Sequence, residues 1–135
     1  MKPSEILFNE TISNRDKFGL YVRERRRELC LTQRDLAKSL DLTPAYVSDV
    51  EKGNRSAPLK HLNQIAILLK IDQDEIDYFF DIASCTHSNW PEINEYLFKT
   101  PNARKAIRLA RDKNMSEQEF LNYVSNMAKE QTNEF

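Results

Sequence analysis

A chain of 135 residues with 30% charged and 40% hydrophobic side chains holds one globular domain, or one small domain with an extension, and is too apolar for a disordered polymer. Two glycines and the lack of alternating apolar runs argue against a β-rich fold. The net charge of -1 conceals an asymmetry: residues 1–71 carry 13 Lys/Arg and 9 Asp/Glu, a net of +4, whereas residues 72–135 carry 7 and 12, a net of -5. A basic amino-terminal half suits a polyanionic partner that the acidic remainder would repel. Cys30 and Cys85 form no C-x-x-C pair, and His61 and His87 stand at no ligand spacing from them. The expectation is two reduced thiols with no metal and no cofactor. Glu5 and Glu10 sit where a secretory leader would be apolar, and no run approaches the roughly 18 apolar residues that cross a bilayer. A cytoplasmic protein without membrane contact is expected.

In chain order, residues 1–14 read as an arm or a short extra helix. A helix follows over about 14–29, with Phe18, Val22 and Leu29 on one face and the stem of Arg25 filling the gap while its charge reaches water. The run Arg23-Glu24-Arg25-Arg26-Arg27-Glu28 wraps this helix as a solvated face. Thr32 with Asp35 forms a capping box for a second helix, whose Leu36, Ala37 and Leu40 face inward. Asp41 occupies the turn, where Asp tolerates a left-handed backbone, and Leu42 plugs the core. Thr43 caps a third helix with Pro44 at its first position, Val47 and Val50 facing inward and Gly53 at its stop. Pro58-Leu59 opens a fourth helix with the stripe Leu62, Ile65, Ala66 and Leu69, and Asp72 with Glu75 caps a fifth that carries Ile76, Phe79, Phe80 and Ala83. The small polar stretch 84–89 reads as a linker. Three further helices are expected: one opened by Trp90-Pro91, one by Thr100-Pro101, and one by the capping box Ser116/Glu119.

The segment 31–53 therefore holds two short helices joined by a tight turn, a geometry that lets the second helix enter the major groove of DNA. The ordered elements Phe18-Gly19, Val22-Arg23, Arg26, Leu31-Thr32-Gln33, Leu36-Ala37, Leu40, Leu42-Thr43, Tyr46-Val47-Ser48, Val50-Glu51, Gly53 and the Leu62/Ala66/Leu69 stripe resemble the lambda-repressor-like helix-turn-helix family, in its Cro/XRE branch. The resemblance covers residues 18–71. It implies an all-α, five-helix DNA-binding domain over 15–83, preceded by an arm at 1–14 and followed by a helical extension at 84–135. It further implies sequence-specific binding of double-stranded DNA at a pseudo-palindromic operator by a homodimeric transcriptional repressor.

On this resemblance Thr43, Pro44, Ala45, Ser48 and Asp49 take the base-reading positions. Ser48 donates or accepts, Ala45 packs on a thymine methyl, and Asp49 accepts from cytosine N4. Gln33, at a helix start where free N–H groups favour an anion, takes a phosphate-contacting position. Lys52, Asn54, Arg55 and Lys60 do the same after the recognition helix. Tyr46 either touches the DNA backbone or packs beside the first turn. Arg26 and Glu51 match a structural ion pair that leaves the Arg26 guanidinium near phosphate. No Arg, Gln or Asn stands between Thr43 and Val50, so direct readout rests on few groups and DNA shape carries more of it.

A single domain presents one half-site, and a dimer supplies two about 34 Å apart. Trp90, Ile93, Tyr96, Leu97, Ile107, Phe120, Val124 and Met127 in 84–135 are the dimerisation candidates. The segment 101–110 resembles carboxyl-terminal extensions of some Gram-positive mobile-element regulators of the family. The alternative is an antitoxin-like regulator whose residues 84–135 bind a partner protein. No Ser/His/Asp order, Gly-rich phosphate loop or paired-carboxylate setting points to an enzyme.

Overall fold

In a computed structural model, which describes residues 1–87 and 90–133, every regular element among the described residues is a helix. The chain divides into two units, Met1–Pro91 and Glu92–Phe135.

The first unit is built from short helices with side-chain start signals. α1 spans Pro3–Leu7, α2 Asn14–Glu28, α3 Gln33–Leu40 and α4 Pro44–Glu51. A 3-10 turn at Leu59–His61 leads into α5 (Leu62–Leu68), and α6 spans Ile76–Cys85. The Ser13 hydroxyl accepts the Asp16 N–H, Thr32 that of Asp35, and Thr43 that of Tyr46, each satisfying a donor the helix leaves free. At Thr32 the box is reciprocal, since the Asp35 carboxylate accepts the Thr32 N–H at 2.9 Å. Hydrogen bonding from Thr32 to this carboxylate, from its backbone N–H first and its hydroxyl second, holds the Asp35 carboxyl below its ordinary pKa. Asp41 does adopt a left-handed backbone, φ 56°, and Gly53 one of 77°.

Phe18, Tyr21 and Val22 from α2, Leu36, Ala37 and Leu40 from α3, and Val47 and Val50 from α4 meet Leu62, Ile65, Leu69 and Phe79 in one core. Phe79 lies at its centre, its ring centroid 5.4 Å from Phe18 and 5.8 Å from Tyr21. Burial at this density, not helix propensity, stabilises helices of seven or eight residues.

Several expectations are corrected. Of the two readings of residues 1–14, the short helix holds and the free arm does not: α1 packs on α2, with Ile6 1% and Leu7 4% exposed. Five residues are too few for a helical period to show in sequence, and the local signals are Pro3 and Glu5 in the first turn. Arg25 does not send its charge to water alone. Its Nε donates to Leu69 O at 2.8 Å and its Nη2 to Lys70 O at 2.9 Å, capping the end of α5. Glu75 does not form a box with Asp72; its carboxylate accepts the Tyr21 hydroxyl at 3.1 Å, and α6 starts without a side-chain cap. Burial and the nearby Glu75 carboxylate push the Tyr21 hydroxyl's pKa above its ordinary value. Part of the expected linker belongs to this unit. Ser84 is fully buried, Thr86 Oγ1 accepts the Ala57 N–H at 3.1 Å, and His87 Nε2 lies 2.6 Å from Ala57 O. Ser88 and Asn89 lie outside the described residues.

In the second unit α7 spans Pro91–Lys99, α8 Pro101–Asp112 and α9 Glu117–Asn133. Ser116 and Glu119 cap α9 reciprocally. Thr100 makes no side-chain cap, because it alone joins α7 to α8 and its ψ of 85° departs from the extended values, 163° and 150°, at Thr32 and Thr43. The Arg104 guanidinium instead donates to Leu97 O and Phe98 O at the end of α7. No side chain among the described residues 92–131 is buried. Ala106, Leu109, Ala110, Met115, Phe120 and Tyr123 line an open apolar groove between α8 and α9 of about 280 Å³.

Candidate nucleic-acid interface

The placement of α4 depends on two backbone features and one buried charge cluster. Gly19 lies where α2 crosses the end of α4: a Cβ there would stand 2.5 Å from Val50 O and 2.6 Å from Glu51 O. Only a residue without a side chain lets the two helices approach so closely. Gly53 combines its positive φ with a Cβ position 2.4 Å from Asp16 Oδ1, so the chain leaving α4 passes against the start of α2. A mid-helix glycine in a chain with only two was a legible signal of such an approach.

Beside this crossing, Arg26 and Glu51 form a bidentate pair at 2.8 and 2.9 Å. The remaining Arg26 nitrogen donates to Leu31 O at 2.8 Å, and the side chains of Arg26 and Glu51 are 9% and 2% exposed. The Glu51 hydrogen bond raises the Arg26 pKa, against the opposing effect of burial. Gln33 joins the cluster, its Nε2 donating to Glu51 Oε1 at 3.0 Å. The cluster thus ties the end of α4 to α2 and to the first residue of α3. All three Arg26 nitrogens have acceptors within the protein, which leaves the guanidinium occupied structurally and away from the solvent face.

The turn and α4 present Thr43, Pro44 and Ala45 fully exposed, with Ser48 and Asp49 half-buried along the same helix. Val47 and Val50 hold the opposite side in the core. Lys52, Asn54, Arg55 and Lys60 are exposed beyond the helix end. Tyr46 packs against the core, and the Arg55 guanidinium carbon lies 4.3 Å from its ring centroid, a cation–π contact that places this charge beside α4. Sequence reasoning left out Arg15, whose Nη2 donates to Ser56 Oγ at 3.1 Å and which brings a further cation to the loop after α4. The run Arg23–Glu28 is not the solvated face expected: Arg26 is buried on Glu51 and Arg25 reaches the end of α5, which leaves Arg27 and Glu28 exposed, with Arg27 3.5 Å from Glu24 and Arg25 2.8 Å from Glu28. Of the dimerisation candidates, Trp90 falls in the first unit, where its Nε1 donates to Asp81 at 3.1 Å. Ile93, Tyr96, Ile107, Phe120, Val124 and Met127 are exposed in the second, with Leu97 half-buried. Among the described residues no helix is long and apolar enough to cross a membrane, and no His/Cys/Asp/Glu group is arranged to hold a metal.

Two short helices, the first capped by Thr32 and the second presented across an αL turn, packed on a third through a buried Arg–Glu pair, define a helix-turn-helix domain, a class that binds DNA. The helix-turn-helix family model matches residues 22–76. Residues 22–76, less than half of the chain, are thus similar to the helix-turn-helix family. The chain is 38% identical over 56 residues to the "ImmF control region 10 kDa protein" of Bacillus phage phi105, an alignment that covers 42% of this chain and 62% of the phage protein. No solved structure matches the chain.

Proposed function

We propose that this chain is a sequence-specific, double-stranded-DNA-binding transcriptional repressor that acts as a homodimer and inserts α4 into the major groove of each half of a pseudo-palindromic operator. The observation that carries this reading is the α4 surface: an exposed, uncharged first turn at Thr43–Ala45, flanked by Lys52, Arg55 and Lys60 and held by a core that fixes its angle. Ser48, Asp49 and the methyl groups of Thr43 and Ala45 meet base edges, and the cations after the helix meet phosphates. One Gln33 amide hydrogen is committed to Glu51, so its second hydrogen and the free N–H groups of the α3 start are aimed by the cluster at a phosphate. With Arg26 fully engaged by protein acceptors, its part is to position Glu51 and Gln33.

Dimerisation belongs to the second unit in this reading, whose apolar side chains lie at the surface. The phage relative's control-region name supports a regulator of phage type, and action on its own promoter is part of the proposal. The same exposed apolar side chains, Tyr96 and Phe98 among them, also suit an antitoxin-like role in which a partner protein covers them.

Fluorescence anisotropy on duplex DNA from upstream of the gene, across salt and with unrelated duplex as competitor, tests the proposal. The expected result is competitor-resistant binding with one protomer per half-site and a salt slope of about 0.9 per phosphate contact. Binding that unrelated duplex fully displaces would refute sequence-specific readout. Co-purification of a second protein with a monomeric chain would favour the antitoxin-like role.

A further inference from the structure

The second unit carries as many basic as acidic residues over 92–135, seven of each, yet the charges are not mixed. The segment 101–113 holds Arg104, Lys105, Arg108, Arg111 and Lys113 against a single acid, Asp112. On the 100° helical period Lys105, Arg108 and Arg111 share one face of α8, while Ala106, Leu109 and Ala110 line the groove shared with α9. All three cationic side chains on that face are exposed. Arg104 is committed to the end of α7 and does not belong to the free set. Arg111 makes only a surface contact to its neighbour Asp112, at 3.1 Å with both side chains mostly in water, and no ion pair engages Lys105 or Arg108 among the described residues. A solvated face ordinarily intersperses the two signs, as the surface of α2 does with its Arg25–Glu28 and Arg27–Glu24 pairs.

We infer that the Lys105/Arg108/Arg111 face of α8 is a second DNA-contacting surface, which engages the phosphate backbone and adds affinity without reading sequence. The inference rests on the DNA-binding reading of the first unit. Residues 105 to 111 span about 9 Å of helix axis, and one strand offers a phosphate about every 3.4 Å along the duplex, so the three cations meet two or three phosphates. Arg and Lys on a regular helix face supply the sequence-independent part of such binding. Tethering to a DNA-bound first unit raises the effective concentration of a face that would be weak alone. A membrane surface, which a basic amphipathic helix can also bind, fits less well because the first unit already presents a helix-turn-helix, and it stands as one outcome of the test.

The test compares the full chain with its Lys105→Gln/Arg108→Gln/Arg111→Gln variant on a mixed-sequence duplex long enough for two half-sites and flanks. The readout is the dependence of affinity on salt. Loss of two or three contacts lowers the magnitude of the slope by about 2 to 3, and a Lys105→Arg/Arg108→Lys/Arg111→Lys variant keeps the parent slope. Circular dichroism and sedimentation confirm that fold and association state are unchanged; should the triple variant misfold, Arg108→Gln alone is expected to lower the slope by about 0.9. An unchanged slope overturns the inference. So does loss of binding to anionic phosphatidylglycerol vesicles with no change on DNA, which would make the face a lipid contact. Binding without sequence preference would defeat the regulator reading while leaving the slope comparison intact, and a parent chain that binds no duplex would defeat both.

Discussion

In Met1–Pro91 the apolar side chains close around one another, and among the described residues 92–131 none is buried. Phe18, Tyr21 and Phe79 are at most 1% exposed, whereas Tyr96, Phe98 and Tyr123 are 61%, 82% and 62% exposed. Both units have capped, amphipathic helices, so local signals do not separate them. The difference lies in whether helices from distant parts of the chain return to cover each other: α1 and α6 both pack on α2, and among the described residues of the second unit no equivalent closure occurs. The first unit carries its own stability, and the second has apolar surface left for something else to cover. The charge asymmetry is also redistributed. The acidity assigned to the carboxyl-terminal half sits on Asp72, Asp74, Glu75, Asp77 and Asp81, at the end of the first unit, and the neutral second unit offers no net charge to oppose self-association.

The strongest way to break the closed unit is through its buried charges. Glu51→Ala leaves Arg26 buried with no carboxylate and frees Gln33, and removing one partner of a buried pair costs about 3–5 kcal/mol. Urea denaturation is expected to show that loss, with unchanged sequence preference in whatever fraction remains folded. A fully stable variant with altered preference would move Glu51 from a structural to a reading role. Gly19→Ala comes next. The added methyl meets the carbonyl oxygens of Val50 and Glu51, backbone atoms that cannot rotate away, and overpacking of this kind costs about 1–3 kcal/mol. Because the clash tilts α4, DNA affinity should fall at temperatures where the variant is still folded. Equal affinity for both would show that the α2–α4 crossing does not set the docking angle.

A charge in the groove of the second unit should leave the first almost untouched. Leu109→Glu replaces a side chain that is already 52% exposed, and a surface substitution of this kind changes stability within about 0.5 kcal/mol. Sedimentation should nonetheless register a shift toward monomer, since two copies of the glutamate would meet across a twofold interface. A variant that melts as the parent does and stays dimeric would place the dimer contact elsewhere.

Much of the site was legible because its signals are local. Thr32/Asp35, Asp41 and Thr43-Pro44 lie within residues 32–44 and fix both helices and their turn. The hub behind them was only partly legible. The Arg26–Glu51 pair follows from the resemblance, but Gln33 enters it through a contact 18 residues long, and no periodicity reports that. The same holds for Arg25 on the end of α5, 44 residues away, and Tyr21 on Glu75, 54 residues away. An amphipathic reading assigns an Arg to water and a Tyr to the core edge, and it cannot see a carbonyl or a carboxylate that tertiary packing delivers. The sequence leaves α1 open between an arm and a short helix for a related reason: its stability comes from what Ile6 and Leu7 bury.

Helix ends were the least legible feature, and they yield the smallest expected effect. Cys30, Asp41, Lys70 and Asn114 all adopt left-handed backbones, with φ between 49° and 58°. In each case the following residue's N–H returns to a carbonyl five positions back, as Ile71 does to Ala66 O at 3.2 Å. Asp and Asn accommodate this conformation; Cys and Lys carry no signal for it. Lys70 is exposed and is held through its backbone, its N–H donating to Ile67 O and its oxygen accepting from Arg25. Lys70→Gly should therefore relieve about 1–2 kcal/mol of backbone strain and return part of it, since glycine's extra freedom stabilises the unfolded chain. A small net rise in melting temperature is expected, larger than that of Asp41→Gly, where the native residue already suits the turn. The reverse order would mean that side-chain contacts at Asp41 or Lys70, rather than the left-handed backbone, set the stability of these two helix ends.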